Sequence, residues 1–410
     1  MNSNFVSRRA LLRGAAFSSF SLALALAGCK PAGDATQASS GTNTSAQTST
    51  ASTSGAPSGD TITIGHFGSL TGTTATFGKS TDNGIRMAFD EINAKNPPLG
   101  KKIEVVTEDD GSRTEQVPGV VQKLINQNNV LCLMGEVASS RSIAAAPIAQ
   151  GAKVPMVTAS STNPKVTTLG DYIFRTCFID SFQGKVMSEF ARNTLKVKKV
   201  AILTDVANDY SKGLTKVFTD QWTKGGGQIV AQASYSEGDK DFQSQLTKIK
   251  GTNPDAIFVP GYYSEVGNIA VQARRLGITQ PLLGCDGWDS PKLYQIGGTA
   301  LEGCYFSNHY TSQSKAPNVV KLVADYKARY GETPDAIGAV AYDAAYIVAD
   351  AIKRAGSPDR TKLRDALATT KNYVGVTGTI SIDKNRNAVK PAVVVKIQDG
   401  HENYVTTINP

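Results

Sequence analysis

From Thr61 onward, short apolar runs alternate with stripes of helical period. Thr61–Phe67 (T-I-T-I-G-H-F) reads as a strand entering a Gly-rich loop. Thr81–Lys95 reads as a helix with Ile85, Ala88, Phe89 and Ile92 on one face. Ile103–Thr107 is the next strand. Val117, Val120, Val121, Leu124 and Ile125 then mark a second helical stripe, with Pro118 tolerated in its first turn. Val130–Met134, Pro155–Thr158 and Tyr172–Thr176 continue the alternation. The same grammar restarts after Asp180, with strands at Val200–Thr204, Ile229–Ala233, Ala256–Pro260, Pro281–Gly284 and Cys304–Ser307. Strands joined through helices run parallel, because only a crossover can link them that way, and the helices then cover both faces of the sheet. The pattern predicts an α/β fold of two doubly wound parallel-sheet lobes, with a ligand cleft beyond the carboxyl ends of the strands. The tail departs from it: helices near 319–330, 339–354 and 362–369 precede Val376–Ile382, Ala392–Gln398 and Tyr404–Thr407, which alternate like antiparallel strands.

The first residues carry an address rather than part of this fold. Arg8 and Arg9, preceded by Ser7, stand before an apolar run from Ala15 to Ala27. A membrane-spanning helix needs roughly 20 apolar residues, and this run has the length of a signal-peptide core. Leu26-Ala27-Gly28-Cys29 resembles a bacterial lipobox, and the arginine pair resembles a twin-arginine export signal. Residues 1–28 are therefore expected to be a signal peptide and Cys29 the lipidation site. Residues 29–59 are expected to be a disordered tether, nearly all Ser, Thr, Ala, Gly, Gln and Asn, with too little apolar surface to offset ordering entropy. As a coil of that length it would span roughly 30 Å. The globular body then sits on the extracytoplasmic or periplasmic face of a membrane.

Charge and motifs narrow the function. The formal charge of +8 falls to +5 once Arg8, Arg9 and Arg13 leave with the signal, and it is spread without a basic run, which argues against nucleic acid. Cys132, Cys177, Cys285 and Cys304 form no CxxC pair and the chain has three histidines, so no metal site or cofactor is expected. Export permits a Cys285–Cys304 disulfide; buried free thiols are the other reading. Gly72–Ser80 (G-T-T-A-T-F-G-K-S) imitates a phosphate-binding loop, but five residues separate its glycines where that motif requires four. No nucleophile elbow or zinc-hydrolase motif occurs, and His66, His309 and His401 are scattered, so an enzyme is not expected.

A series of segments is similar to the leucine/isoleucine/valine-binding family of type I periplasmic binding proteins. It runs through I-G-H-F-G-S-L-T-G-T-T-A-T-F-G (Ile64–Gly78), E-D-D-G-S (Glu108–Ser112), G-E-V-A-S-S (Gly135–Ser140) and T-A-S-S-T-N-P (Thr158–Pro164). It continues with F-R-T-C-F-I-D-S-F-Q-G (Phe174–Gly184), D-Y-S-K-G (Asp209–Gly213), P-G-Y-Y-S-E (Pro260–Glu265), G-C-D-G-W (Gly284–Trp288) and A-Y-D-A (Ala341–Ala344). The resemblance implies three chain crossings between the lobes, with 60–179 and 309–377 in one lobe and 180–308 and 378–410 in the other. It also implies a monomeric lipoprotein that captures an amino acid, branched-chain or aliphatic in the first instance, and delivers it to the transmembrane permease of an ABC importer. The alternative is a sensor domain of the same fold for amides, urea or other small solutes.

By resemblance, Ser139 supplies a hydroxyl to the ligand carboxylate. The loop of Ser160 and Thr162 serves both charges, with the Ser160 carbonyl for the ammonium and the Thr162 hydroxyl beside it. Tyr210, Tyr262 and Asp286 close from the second lobe, with Asp286 standing where the family more often has Glu. Phe77 takes the place of an aromatic cover. Tyr263 competes with Tyr262 for its role, Trp288 is a candidate wall of the side-chain pocket, and Asp343 is read as structural. Both charges of a zwitterion lose water when a cleft closes, so each needs several polar partners.

Overall fold

The structure, a computed structural model, describes residues 59–410. The signal peptide, Cys29 and all but the last residue of the tether lie outside the described residues.

The first sheet is built from β1 (Thr61–Gly68), β2 (Lys102–Asp109), β3 (Cys132–Met134), β4 (Met156–Thr158) and β5 (Ile173–Arg175). Its order is β2-β1-β3-β4-β5 and every pair is parallel. Helices α1 (Ala75–Lys95), α2 (Val117–Asn126), α3 (Ser139–Gly151) and the single turn α4 (Lys165–Thr168) connect its strands. The chain then enters a second unit through α5 (Asp180–Glu189), with β6 (Lys199–Asp205), α6 (Asp209–Lys224), β7 (Gln228–Tyr235) and α7 (Gln243–Gly251). β8 (Ala256–Phe258), α8 (Tyr263–Arg275), β9 (Leu282–Gly284), α9 (Pro291–Gly297) and β10 (Tyr305–Asn308) complete it. Val200–Leu203, Ala256–Phe258 and Leu282–Leu283 are fully buried, as expected for parallel strands covered on both faces.

The chain returns to the first unit with α10 (Pro317–Tyr330), α11 (Ala336–Ala355) and α12 (Arg360–Ala368). The buried face of α1 meets Val340, Ala341, Ala344 and Val348 of α11. Gly84 permits this approach, since a Cβ there would strike the Gly338 carbonyl. A small antiparallel sheet follows, of β11 (Tyr373–Gly375), β12 (Gly378–Ile382) and β13 (Ala388–Val389). The last strands, β14 (Ala392–Gln398) and β15 (His401–Ile408), join the second sheet antiparallel, in the order β15-β14-β10-β9-β8-β6-β7.

Three expectations are corrected. α1 starts at Ala75, six positions before Thr81, because burial of Phe77 and Gly78 draws the Gly-rich segment into the helix. Val376–Ile382 is not one strand: the chain turns at Val376-Thr377, and the buried Asp343 carboxylate accepts both backbone N–H groups at 2.9 Å and the Thr377 hydroxyl at 2.7 Å. The boundary expected at 377/378 falls instead at 390–391. Ile380, Ile382 and Ala388 pack in the first unit's core, where an apolar hairpin between two turns finds its cover, and only β14 enters the second sheet. The four cysteines of the described residues are buried free thiols.

Within each sheet the strand order reverses once, between β1 and β3 in the first and between β6 and β8 in the second. The loops leaving β1, β3 and β4 meet those leaving β6, β8 and β9 at these switch points, where such sheets place their ligands.

Candidate functional site

Ser139 begins α3, which opens without a capping side chain. Its hydroxyl accepts the Asn163 N–H at 3.2 Å instead of capping its own helix. The loop after β3 begins at Gly135, whose φ of +124° and contact with the Phe67 carbonyl exclude a side chain. Ser160 and Thr162 lie in the loop after β4. Thr158 anchors that loop by accepting the Ser160 and Ser161 N–H groups at 3.3 and 2.9 Å. The hydroxyls of Ser160 and Thr162 are buried and have no hydrogen-bond partner.

From the second lobe, Tyr210 is set by Asn208, whose side chain caps α6 through the Tyr210 and Ser211 N–H groups. The Tyr210 hydroxyl donates to Asp286 Oδ1 at 2.8 Å and accepts the Gly287 N–H at 2.8 Å. Tyr210 stacks on Tyr262 with ring centroids 5.1 Å apart. Phe77, from the first lobe, meets Tyr262 and Tyr263 edge-on at 5.5 and 4.9 Å. The two tyrosines differ in their hydroxyls. Tyr263 Oη accepts the Thr76 N–H at 3.3 Å, whereas Tyr262 Oη, beside the Asn208 side chain, meets no partner of good geometry.

Asp286 is held more firmly than its motif suggested. Gln183 Nε2 joins Tyr210 on Oδ1 at 2.9 Å, and His309 Nε2 lies 2.9 Å from Oδ2. A carboxylate has about four acceptor positions; three are taken, and the one left is on Oδ2. Burial holds the His309 imidazole below its ordinary range, so it sits neutral against Asp286. Phe178 packs over that ring at 3.9 Å.

All seven residues named from sequence are buried. A chain of contacts links six of them. The Asn163 N–H on Ser139 leads to Thr162, whose carbonyl accepts the Asp180 N–H at 2.9 Å. Asp180 shares Gln183 with Asp286, and Tyr210, Tyr262 and Phe77 complete the wall. Ser160 enters through its place in the Thr162 loop. Trp288 is not part of the wall. Its indole donates to the Val259 carbonyl at 2.9 Å and its ring lies against Gly284 and Phe306, on the core side.

Sequence reasoning missed Asp180, Gln183 and His309. Asp180 and Gln183 are three positions apart, on one face of α5, a spacing visible in the quoted segment F-I-D-S-F-Q-G. His309 gave no such signal, since only the second crossing brings it to Asp286. A second charge cluster was also missed. Arg141 of α3, 2% exposed, donates through Nη2 to Glu237 of the other lobe at 3.0 Å and to the Ser112 carbonyl at 2.7 Å. Its Nη1 donates to Thr74 at 3.0 Å and lies 3.7 Å from Glu136. Burial and the neighbouring Asp110 push the Glu136 carboxyl up to about 7. Further bonds close the lobes on each other, Asn163 to the Asp209 carbonyl at 2.8 Å and the Asp209 N–H to Ser140 at 2.9 Å.

A separate opening of about 440 Å³ lies at the crossings, lined by His309, Tyr310, Val376, Thr377 and Pro391 among others. Its lining holds no Asp, Glu, Lys or Arg, and so nothing to neutralise either end of a zwitterion.

Residues 61–402 match the family model described as periplasmic binding protein. Among solved structures, a leucine-binding protein of Thermotoga maritima is 41% identical, with a TM-score of 0.82, over 85% of this chain and 99% of its own. A branched-chain amino acid transporter substrate-binding protein of Streptococcus pneumoniae, in complex with isoleucine, is 37% identical with a TM-score of 0.81, over 85% and 100%. A solute-binding protein of an ABC transporter from Rhodopseudomonas palustris, in complex with 3,4-dihydroxybenzoic acid, is 28% identical with a TM-score of 0.78, over 86% and 98%.

Proposed function

Since the chain belongs to the periplasmic binding protein family, of the branched-chain amino acid transporter type, we propose that it captures an amino acid with an aliphatic side chain and hands it to an ABC permease. The observation that carries this reading is the set of buried, unpartnered hydroxyls on the loops and helix starts of the cleft, Ser160 Oγ, Thr162 Oγ1 and Tyr262 Oη, together with the one acceptor position left on Asp286 Oδ2 next to His309. Buried hydroxyls without partners cost about 1–3 kcal/mol each, a deficit that a zwitterion would remove.

In this reading Ser139, Ser160 and Thr162 receive the solute on the first lobe. The crossings then rotate to bring Tyr210, Tyr262 and Asp286 over it, with Phe77 as cover. The carboxylate lies toward Ser139 and the open N-terminus of α3, whose dipole favours an anion. The ammonium lies toward Asp286, and the side chain lies against Phe77, Val137 and Ala138. Micromolar affinity would correspond to about 8 kcal/mol, enough to bias closure while permitting release. The permease and the Cys29 lipid anchor belong to the same proposal. A Cys29→Ala protein is expected to leave the membrane fraction.

A relative that binds an aromatic acid raises a second reading, a plain carboxylate ligand. A thermal-shift screen of the purified protein separates the two. Stabilisation by leucine, isoleucine or valine, without stabilisation by their deaminated acids, is the expected result. A response to organic acids alone would replace this reading with the second.

A further inference from the structure

Resting on the amino-acid reading, we propose that Asp180 shares the ligand's ammonium with Asp286, and that taking up this cation expels a proton from Asp180. Asp180 is the first residue of α5 and is fully buried. Its Oδ1 accepts Gln183 Nε2 at 2.9 Å, and the same nitrogen reaches Asp286 Oδ1 at 2.9 Å, so one amide bridges two carboxyl groups. Ser307 holds that amide in orientation, donating to Gln183 Oε1 at 3.1 Å. Oδ2 of Asp180 has no partner. The Thr162 hydroxyl stands beside the carboxyl and favours its charge, yet neither atom makes a bond of good geometry. An ionised carboxylate only accepts, and this oxygen, beside Gly213 of α6 and near an Asn163 amide that donates to the Asp209 carbonyl, is left open to a donor.

No cation donates to either carboxyl group, although the Arg175 charge acts on Asp180 as the smallest of the influences on it. Arg175 and Cys177 face Asp180 from the first crossing, Tyr210 from α6, and Cys285 and Asp286 from the turn after β9. The two terminal nitrogens of Arg175 donate to the carbonyls of Ser161 and Asn163, at 2.6 and 2.7 Å, and to the Thr167 hydroxyl at 3.3 Å, and its Nε has no partner, so none of its donors reaches Asp180. His309 faces Asp286 rather than Asp180, and Lys390 behind it donates to the Thr377 hydroxyl at 2.6 Å and faces Asp343; burial draws both below their ordinary ranges. The like charge of Asp286 across the shared amide disfavours ionisation of Asp180. Burial, with Asp286 adding to it, pushes the Asp180 carboxyl up to about 7.

An ammonium placed against Oδ2 reverses that balance. The neutral acid becomes a carboxylate paired with the cation, and its proton leaves to solvent. The sign follows: below about 7 a proton must be displaced for each ligand bound. Affinity then weakens as pH falls, by up to about tenfold per unit, and levels off above that range.

The test is isothermal titration of leucine into the full-length protein at about pH 6.5, in two buffers of different ionisation enthalpy. More than about half a proton released per leucine is expected. Asp180→Asn should abolish the release and weaken leucine binding at least about tenfold, the loss of one charge-assisted contact. Glu136→Gln, which alters the other titrating cluster, should leave the release intact. Heats independent of buffer in the wild-type protein would overturn the proposal even if Asp180→Asn does not fold. So would release that persists in Asp180→Asn and vanishes in Glu136→Gln. A wild-type protein that binds no amino acid sinks the amino-acid reading and this inference together, whereas binding without release removes this one alone.

Discussion

Arg141 brings its own cation to Glu136, Asp110 and Glu237, while a few residues away Asp180 and Asp286 are bridged by an amide and face hydroxyls and a neutral imidazole. Both clusters are buried in the same cleft. The first has its counter-charge built in, drawn from both lobes, and so is suited to holding the lobes together. In the second no cation donates to either carboxyl group, Arg175 being bonded to backbone carbonyls instead. Burial penalises the Arg141 charge, but the surrounding carboxylates outweigh it and keep the guanidinium firmly ionised. At Asp180 the balance runs the other way. The difference separates a latch from a receptor: charge completed within the protein stabilises a conformation, and charge left incomplete selects a ligand.

The strongest way to break the comparison is Arg141→Leu. Removing one partner of a buried ion cluster costs about 3–5 kcal/mol of stability, to be read from urea denaturation without ligand. A loss under about 1 kcal/mol would show that the cluster is not held by charge. Next come Thr162→Ala and Asp286→Asn, each expected to cost about 1.5–3 kcal/mol of leucine affinity through a lost charge-assisted contact, measured by calorimetry. Comparable losses of stability with unchanged affinity would exchange the roles of the two clusters.

A third expectation is a pH dependence of stability. The folded Glu136 carboxyl is raised from 4.5 to about 7. The folded protein therefore binds more protons than the unfolded chain across that interval, and stability is fully present below 4.5 and lost as pH rises through about 7. Melting temperatures of the ligand-free protein across this range should fall with pH, and Glu136→Gln should flatten the slope. The smallest effect belongs to Glu237→Gln. Its side chain is 26% exposed, so the pair with Arg141 is worth about 1 kcal/mol or less. Small-angle scattering should show a larger radius for the ligand-free variant and the wild-type radius with saturating leucine.

The α/β alternation was legible because buried parallel strands are short apolar runs and their covering helices carry a one-sided stripe. The site loops were legible by resemblance, as at Ser139 and Thr162. Boundaries set by packing were not. The start of α1 depends on where Phe77 is buried, and the third crossing depends on which core covers Ile380 and Ile382. Tyr262 and Tyr263 are adjacent in sequence and chemically identical. Only the Thr76 N–H, which occupies one hydroxyl and leaves the other free, tells them apart. Trp288 carries the signal of a pocket wall in a motif and lies in the core instead.

By itself the chain's order of apolar and polar residues determined two sheets with helices on both faces and the loops that could meet between them, because periodicity and crossover geometry are local properties. Which charges are completed was decided by the tertiary structure alone. Arg141 and Glu237 are 96 residues apart, and His309 lies 23 residues from Asp286. The protonation and free valence of a buried carboxyl depend on every group packed against it, and those groups come from chain segments that only the crossings bring together.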